Sequence, residues 1–457
     1  MWPRRKGQVL QGELAVTAEE EGEDPEQVKQ ESDHRSGKSE KRRPLMTTSD
    51  DRSRDQKEPS PGLTRRAFLP LVGAATLATV ATRPSVTSAA RPSSAEARFV
   101  YVGTYTAPGV PPGGTHPSTA VGIYVFRMDP SDGGLTPVQI VTTDNPSFLA
   151  LSPTLTHLYS TNENAPGRFS AYAIDQANGT LTFLNTEPSH GDFPAHLNVH
   201  PSGAYLLGTN YGTGNYPIYR ITANGSIGAL TDDFQGEGNG TGPRPDRQEG
   251  PHAHMILTDP SVGHVFGVDL GADKVNVWTL DLGTGVLTPN TVPFAPVASG
   301  SGPRHMVFHQ TRPLAYVLDE LASTITAFHY EASRGALVWL QTISTLPRDF
   351  TGTNTTAEIR IHPNGEFLYN TNRGHNSVTM YSIDPDNGRL SVIGWQSSLG
   401  EWPRGMNIDP SGTFLYVGNQ NTDTIAVFRI NTANGRLQRG FVVHTPTPVD
   451  IEFGPLA

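Results

Sequence analysis

From Arg98 onward, apolar and polar residues alternate in short runs such as FVYVGT, GIYVFRM, FLYNTN, SVTMYSI, FLYVGN and TIAVFRI. Strict alternation predicts strands with one packed face. Pro-x-Gly turns separate many of these runs, as at Pro201–Gly203, Pro363–Gly365 and Pro410–Gly412. Asn-Gly pairs at Asn178–Gly179, Asn224–Gly225, Asn387–Gly388 and Asn434–Gly435 set tight hairpins between later runs. The grammar repeats about every fifty residues, a period that belongs to propellers and arrays. Copies begin at Pro146, Pro194, Pro251, Pro303, Ala357 and Pro403. Each copy predicts four antiparallel strands, the blade of a β-propeller.

A further copy, Phe99 to about Val141, lacks its opening strand. The stretch Pro448–Phe453 has the shape of Pro303–Phe308 and supplies it. One blade made from both ends of the repeat region closes the ring and removes its open edges. The expected fold is therefore all-β: one seven-bladed propeller of four-stranded antiparallel blades over residues 98–457, with almost no helix. A long Gly-rich loop, residues 231–254, is expected on the rim beside the central channel, where long connections tend to be functional.

The first ninety residues do not share this pattern. Residues 1–60 are polar and cannot bury enough surface to order themselves. Residues 61–90 have the parts of an export signal. Thr64-Arg65-Arg66-Ala67-Phe68-Leu69 precedes an apolar run, and small residues near Ala89 and Ala90 suit a peptidase. The paired arginines resemble a twin-arginine motif, with Pro70 where a lysine is usual. The apolar run falls short of the roughly 20 residues of a membrane span. Extracytoplasmic localisation, contact with twin-arginine export machinery and no lasting membrane span are the expectations. Because the signal starts late and Met46 opens a leader of ordinary length, translation is expected to begin at Met46, with residues 1–45 an extension.

The chain carries no cysteine, which excludes disulfides, thiolate metal sites and thiol nucleophiles. Of 34 Lys and Arg and 44 Asp and Glu, residues 1–90 hold 15 and 14, leaving residues 91–457 a net charge of −11. Such a body offers no footprint for nucleic acid or anionic membrane. Any anion must be held by locally placed arginines. Nucleophile elbows, phosphate loops and paired-histidine zinc motifs are missing, and no cofactor is expected. The spacing His252-x-His254 puts two rings on one face of a strand, half of a metal site that Asp319 and Glu320 would complete. Two histidines alone are too few ligands, so no metal is expected.

Place within the blade selects the candidates. His196, His252, His254, Arg304, His305 and Arg404 lie at or just before first strands, which line a propeller's channel. Glu320, Arg373 and Asn419 lie at the ends of second strands. If both ends open on one face, these groups converge there. His305 is expected to point away from Arg304, because strand side chains alternate. His200, His362 and Asp409 belong to blade turns.

The repeats, above all GPRHMVFH with AYVLDELASTITAF and PRGMNIDPSGTFLYVGNQNTDTIAVF, resemble the seven-bladed propeller lactonase family of propeller-type 6-phosphogluconolactonases and carboxymuconate cyclases. The resemblance spans the repeat region. It implies an active site at the channel, with His252, Arg304, Glu320 and Arg373 on the family's catalytic positions; His196, His254 and Arg404, by their place in the blade, are expected to contact substrate. Asp319 stands where the family has asparagine, adding negative charge near the site. The implied activity is hydrolysis of a sugar lactone, with His252 as general base, Glu320 orienting it or sharing its proton, Arg304 holding the oxyanion or an anionic substrate group, and Arg373 a second anion contact. A muconate-type cycloisomerase and a non-catalytic exported binding propeller are the alternatives.

Overall fold

The computed structural model describes residues 96–106, 108–238 and 244–457. The polar extension, the expected start at Met46 and the export signal lie outside the described residues. Among the described residues there are 28 strands and no helix. They form seven antiparallel sheets of four strands each. The expected closure is found in blade 1. Its innermost strand is Pro448–Leu456, paired antiparallel with Arg98–Thr104 through Tyr101–Glu452 and Val102–Ile451. Gly122–Met128 and Leu135–Thr142 complete it. Blades 2 to 7 open with Leu149–Leu151, Pro194–Val199, Ala253–Thr258, Pro303–Phe308, Thr355–Ile361 and Pro403–Ile408.

These first strands pack against one another in an unbroken cycle, so they form the channel wall. The second strands are buried along all or nearly all of their length, whereas fourth strands such as Leu135–Thr142 alternate toward solvent. The core is accordingly split into seams between blades. One seam joins Met255, Phe266 and Val268 of blade 4 to Met306, Phe308 and Val317 of blade 5. Another joins Val100, Phe126 and Ile451 of blade 1 to Phe414, Tyr416 and Val427 of blade 7, fastening the ring. Each such side chain contributes about 1.5–3 kcal/mol by leaving water.

A tyrosine in the second strand ties five of the blades to the next. Tyr101, Tyr159, Tyr316, Tyr369 and Tyr416 donate to the carbonyls of Gly179, Gly225, Gly388, Gly435 and Gly133, at 2.7–3.0 Å. Those glycines sit in the hairpin between third and fourth strands with φ of 70–84°. This left-handed region favours glycine, which explains the Asn-Gly pairs read in the sequence.

Candidate active site

A one-residue irregularity at the start of the inner strands builds the site. In blade 5 Pro303 pairs with Asp319 and His305 with Leu318, so Arg304 is an extra residue in the ladder. The same slip makes an extra residue of Ala195 in blade 3, His254 in blade 4 and Arg404 in blade 7. A bulge of this kind bends the strand and re-aims the side chain. All four residues line one cavity of about 410 Å³. The position at or just past the end of the second strand in blades 2, 3, 5 and 6 supplies a second set of side chains, Glu163, Tyr211, Glu320 and Arg373, to the same cavity. Two kinds of equivalent position, drawn from six of the seven blades, thus meet on one face.

Glu320 is the centre of charge. Its Oε2 accepts from Arg304 at 2.8 Å and lies 2.9 Å from Arg373, and its Oε1 accepts from Arg247 at 2.9 Å. Burial alone would raise its pKa, but Arg373, Arg304 and Arg247 together hold it well below the carboxylate range. Arg373 is pushed down to about 9 by burial, against the pull of Glu320, and so stays charged at neutral pH. Its guanidinium sits 5.5 Å from the Trp402 ring centre and donates to the Thr356 carbonyl at 2.5 Å. Arg304 also donates to the Ala357 carbonyl at 2.9 Å and, through Nη1, to Nε2 of His254. Burial, and then the Arg304 cation, put His254 well below the ordinary histidine range, so its ring is neutral.

A second group adjoins this one. Arg404 donates to the Tyr105 hydroxyl at 2.6 Å and lies 5.0 Å from that ring's centre. The Tyr105 hydroxyl donates to Glu163 at 2.8 Å, and Ser147 donates to the same carboxylate oxygen. Burial pushes the Tyr105 phenol up, so it keeps its proton. In total the cavity wall carries four guanidiniums, from Arg247, Arg304, Arg373 and Arg404, against two carboxylates, Glu163 and Glu320. An acidic body therefore presents a locally cationic pocket, suited to an anionic molecule.

The structure brings Arg304, Glu320, Arg373, His254 and Arg404 together. His252 does not line this cavity. It precedes the strand, stacks on Tyr211 with ring centres 4.5 Å apart, and has both ring nitrogens engaged, with the Tyr211 carbonyl at 2.8 Å and the Glu249 carboxylate at 3.1 Å. The bulge at His254 breaks the alternation that would have put the two rings on one face. Among the described residues no cluster of three or more His, Asp or Glu side chains could hold a metal ion. His196 lies behind the wall, 4.2 Å from the Phe148 ring, and accepts from the Ile256 amide at 3.4 Å. His305 faces away from the cavity and pairs with Glu358 at 3.2 Å.

Asp319 does not add charge to the cavity wall. It turns into the blade and accepts from Thr324 and Thr326, each at 2.8 Å, which secures the turn after the second strand. Asn162, Asn210, Asn372 and Asn419 fill the corresponding place elsewhere. Burial lifts the Asp319 carboxyl to about 7. His200, His362 and Asp409 accept backbone amides within their turns.

Arg247, Tyr211, Glu163, Tyr105 and Trp402 were not singled out from sequence. Glu163 was findable, since Asn162–Glu163 occupies the place of Asp319–Glu320. Arg247 comes from the long rim loop, which has no counterpart in other blades.

The family model described as "Lactonase, 7-bladed beta-propeller" matches residues 99–453. A Bacillus subtilis (strain 168) protein named 6-phosphogluconolactonase is 34% identical over 307 residues, 66% of this chain and 83% of that one. The solved structure of a putative 6-phosphogluconolactonase from Bacteroides fragilis matches with a TM-score of 0.72 and 29% identity, covering 81% of this chain and 99% of the other. That of a periplasmic gluconolactonase from Pseudomonas aeruginosa matches with a TM-score of 0.73 and 29% identity, covering 79% and 100%.

Proposed function

The chain belongs to the seven-bladed β-propeller lactonase family, and on that premise we propose that it hydrolyses a sugar-derived lactone, anionic or rich in hydroxyls, in the cavity around Glu320. The observation that carries this reading is the meeting of four guanidiniums with a neutral imidazole at one cavity. Lactone opening needs a base for the attacking water, a cation for the developing oxyanion and a proton for the leaving alkoxide. In this reading His254 takes the part that the resemblance implied for His252, because its ring touches the cavity. Arg304, which leans on both His254 and Glu320, receives the oxyanion. Glu320 is held ionised, which suits it to fixing the arginines and not to giving up a proton. Arg373, Arg247 and Arg404 remain for a carboxylate or phosphate of the substrate, where a planar guanidinium binds in bidentate fashion.

We extend the proposal to place. The Thr64–Leu69 motif and the likeness to a structure described as a periplasmic gluconolactonase support export. An exported enzyme would meet unphosphorylated lactones. The test is acid release, followed by pH-stat, from glucono-δ-lactone, its 6-phosphate and other small lactones. His254→Gln should lower turnover by about 10²–10⁴-fold, and His252→Gln should leave most of it. A panel without acid release above the spontaneous rate would sink the hydrolase. Cyclisation of a muconate instead would assign the isomerase.

A further inference from the structure

Behind the cavity wall lie two ring atoms that this mechanism does not use: Nδ1 of His254 and Nε2 of His305 are buried without a hydrogen-bond partner among the described residues. The neighbours of each ring fix its tautomer. Nε2 of His254 faces an arginine N–H, so it must accept and the proton sits on Nδ1. Nδ1 of His305 faces the Glu358 carboxylate, so it carries the proton and Nε2 presents a lone pair. The orphans are therefore a donor and an acceptor, on rings whose centres are 5.2 Å apart at 70°. That separation suits direct contact after a small turn of either ring, or a single bridging water.

The geometry points to a relay in which His305, backed by Glu358, takes the proton that His254 cannot keep. It rests on the hydrolytic reading of the cavity. His254 is faced by Arg304, Arg404, Glu320, Tyr211 and His305. Its nearest cation repels a second positive charge. His305 is faced by Glu358, Arg304, Arg360, His196 and His254. Glu358 accepts from Arg360 at 2.8 Å and from the Ile359 amide at 3.0 Å. Burial opposes its ionisation, yet Arg360 and His305 bring it down to about 2, so it is a fixed anion.

The steps balance. A substrate oxygen draws Arg304 away from Nε2 of His254. Water gives a proton to that Nε2 while its oxygen bonds to the lactone carbonyl carbon. The Nδ1 proton of His254 passes to Nε2 of His305. His254 stays neutral in its other tautomer, and His305 becomes an imidazolium against the Glu358 anion. On collapse, the ring C–O bond breaks, Nε2 of His254 returns its proton to the alkoxide, and His305 returns the other to Nδ1. His305 and Glu358 touch no substrate and are positioning residues.

The experiment compares wild type with His305→Gln and Glu358→Gln, each with its unfolding midpoint checked. With a turned-over lactone, kcat should fall on the order of 10²-fold in His305→Gln with KM unchanged. In Glu358→Gln, loss of the anion lowers the proton affinity of His305, so the acid limb of kcat moves to lower pH. A uniform loss of rate at every pH, with no shift of that limb, would overturn the relay. A second arm needs no substrate. Nitrogen-15 NMR of histidine-labelled protein should find both rings protonated on Nδ1, and His305→Gln should move the His254 Nδ1 resonance. An unmoved resonance in a folded variant, or a resting His254 protonated on Nε2, overturns the relay. Coupled resonances in a protein inert to every lactone would support the pairing and overturn the lactonase reading.

Discussion

Two zones of the same channel wall treat buried carboxylates in opposite ways. At the mouth, Glu320 is held ionised by Arg247, Arg304 and Arg373. Further along the inner strands, Glu358, Asp450 and Glu452 gather around Arg360, which is 2.8 Å from Glu358 and 3.8 Å from Glu452. There Arg360 and His305 hold Glu358 ionised, and burial and the neighbouring anions dominate at Asp450 and Glu452. The carboxyl of Asp450 is raised well above its usual range and that of Glu452 to about 7. Glu320 has three guanidiniums to itself, whereas three carboxyl groups share Arg360, and the number of guanidiniums per carboxylate decides which holds a proton. The mouth has cations in excess and attracts an anion, and the deeper zone has none to spare. A negatively charged ligand should therefore stop at the mouth.

The sharpest way to break this contrast is to remove a cation from the mouth. Arg304→Ala should lower kcat/KM toward the accepted lactone on the order of 10³-fold, the cost of losing an oxyanion donor. Arg304→Lys should recover little, because a point charge cannot hold Glu320, His254 and the Ala357 carbonyl together. Steady-state kinetics with matched unfolding midpoints checks both.

Removing the cation of the deeper zone should act on stability. Arg360→Met leaves three carboxylates facing one another and should cost about 3–5 kcal/mol. The loss should grow as pH rises through about 7, where Glu452 ionises. Denaturant melts at pH 5.5 and 8 measure it, and an equal loss at both would refute the electrostatic account.

The smallest effect is expected at Asp319, which has no guanidinium partner among the described residues. Its folded pKa of about 7 lies above the unfolded value near 3.8. It therefore favours the folded state below about pH 4, and this contribution is lost as pH rises toward 7. Asp319→Asn, the residue of four other blades, should raise the unfolding midpoint by about 2–4 °C at pH 8 and change little at pH 4. A destabilised variant at pH 8 would show that the carboxylate is needed by Thr324 and Thr326.

The ring was legible because its rules are local and repeated. Alternation, Asn-Gly hairpins and the likeness of Pro448–Phe453 to Pro303–Phe308 are visible without coordinates. Much of the candidate site followed from equivalence between blades, which brought Arg304, Glu320, Arg373, Arg404 and His254 to one cavity. What stayed hidden has specific causes. A bulge adds one residue without disturbing composition, so the different surroundings of His252 and His254 could not be read from their spacing. Arg247 lies in an insertion with no second copy to compare. The turn of Asp319 into its own blade depends on two threonines of the third strand, a pairing that alternation does not specify.

The strand Pro448–Leu456 gives the molecule a dependence on the order in which it is made. A ribosome produces Arg98–Thr104 long before the strand that must lie beside it, so blade 1 waits for Pro448–Leu456 with an edge exposed. Six blades are built from strands consecutive in sequence, and the seventh has to be completed by a strand that arrives late. Loss of this segment would leave an open arc where the ring now closes, and the channel wall would lose one of its seven faces. The ring, and with it the pocket, is thus complete only once Pro448–Leu456 has paired with Arg98–Thr104.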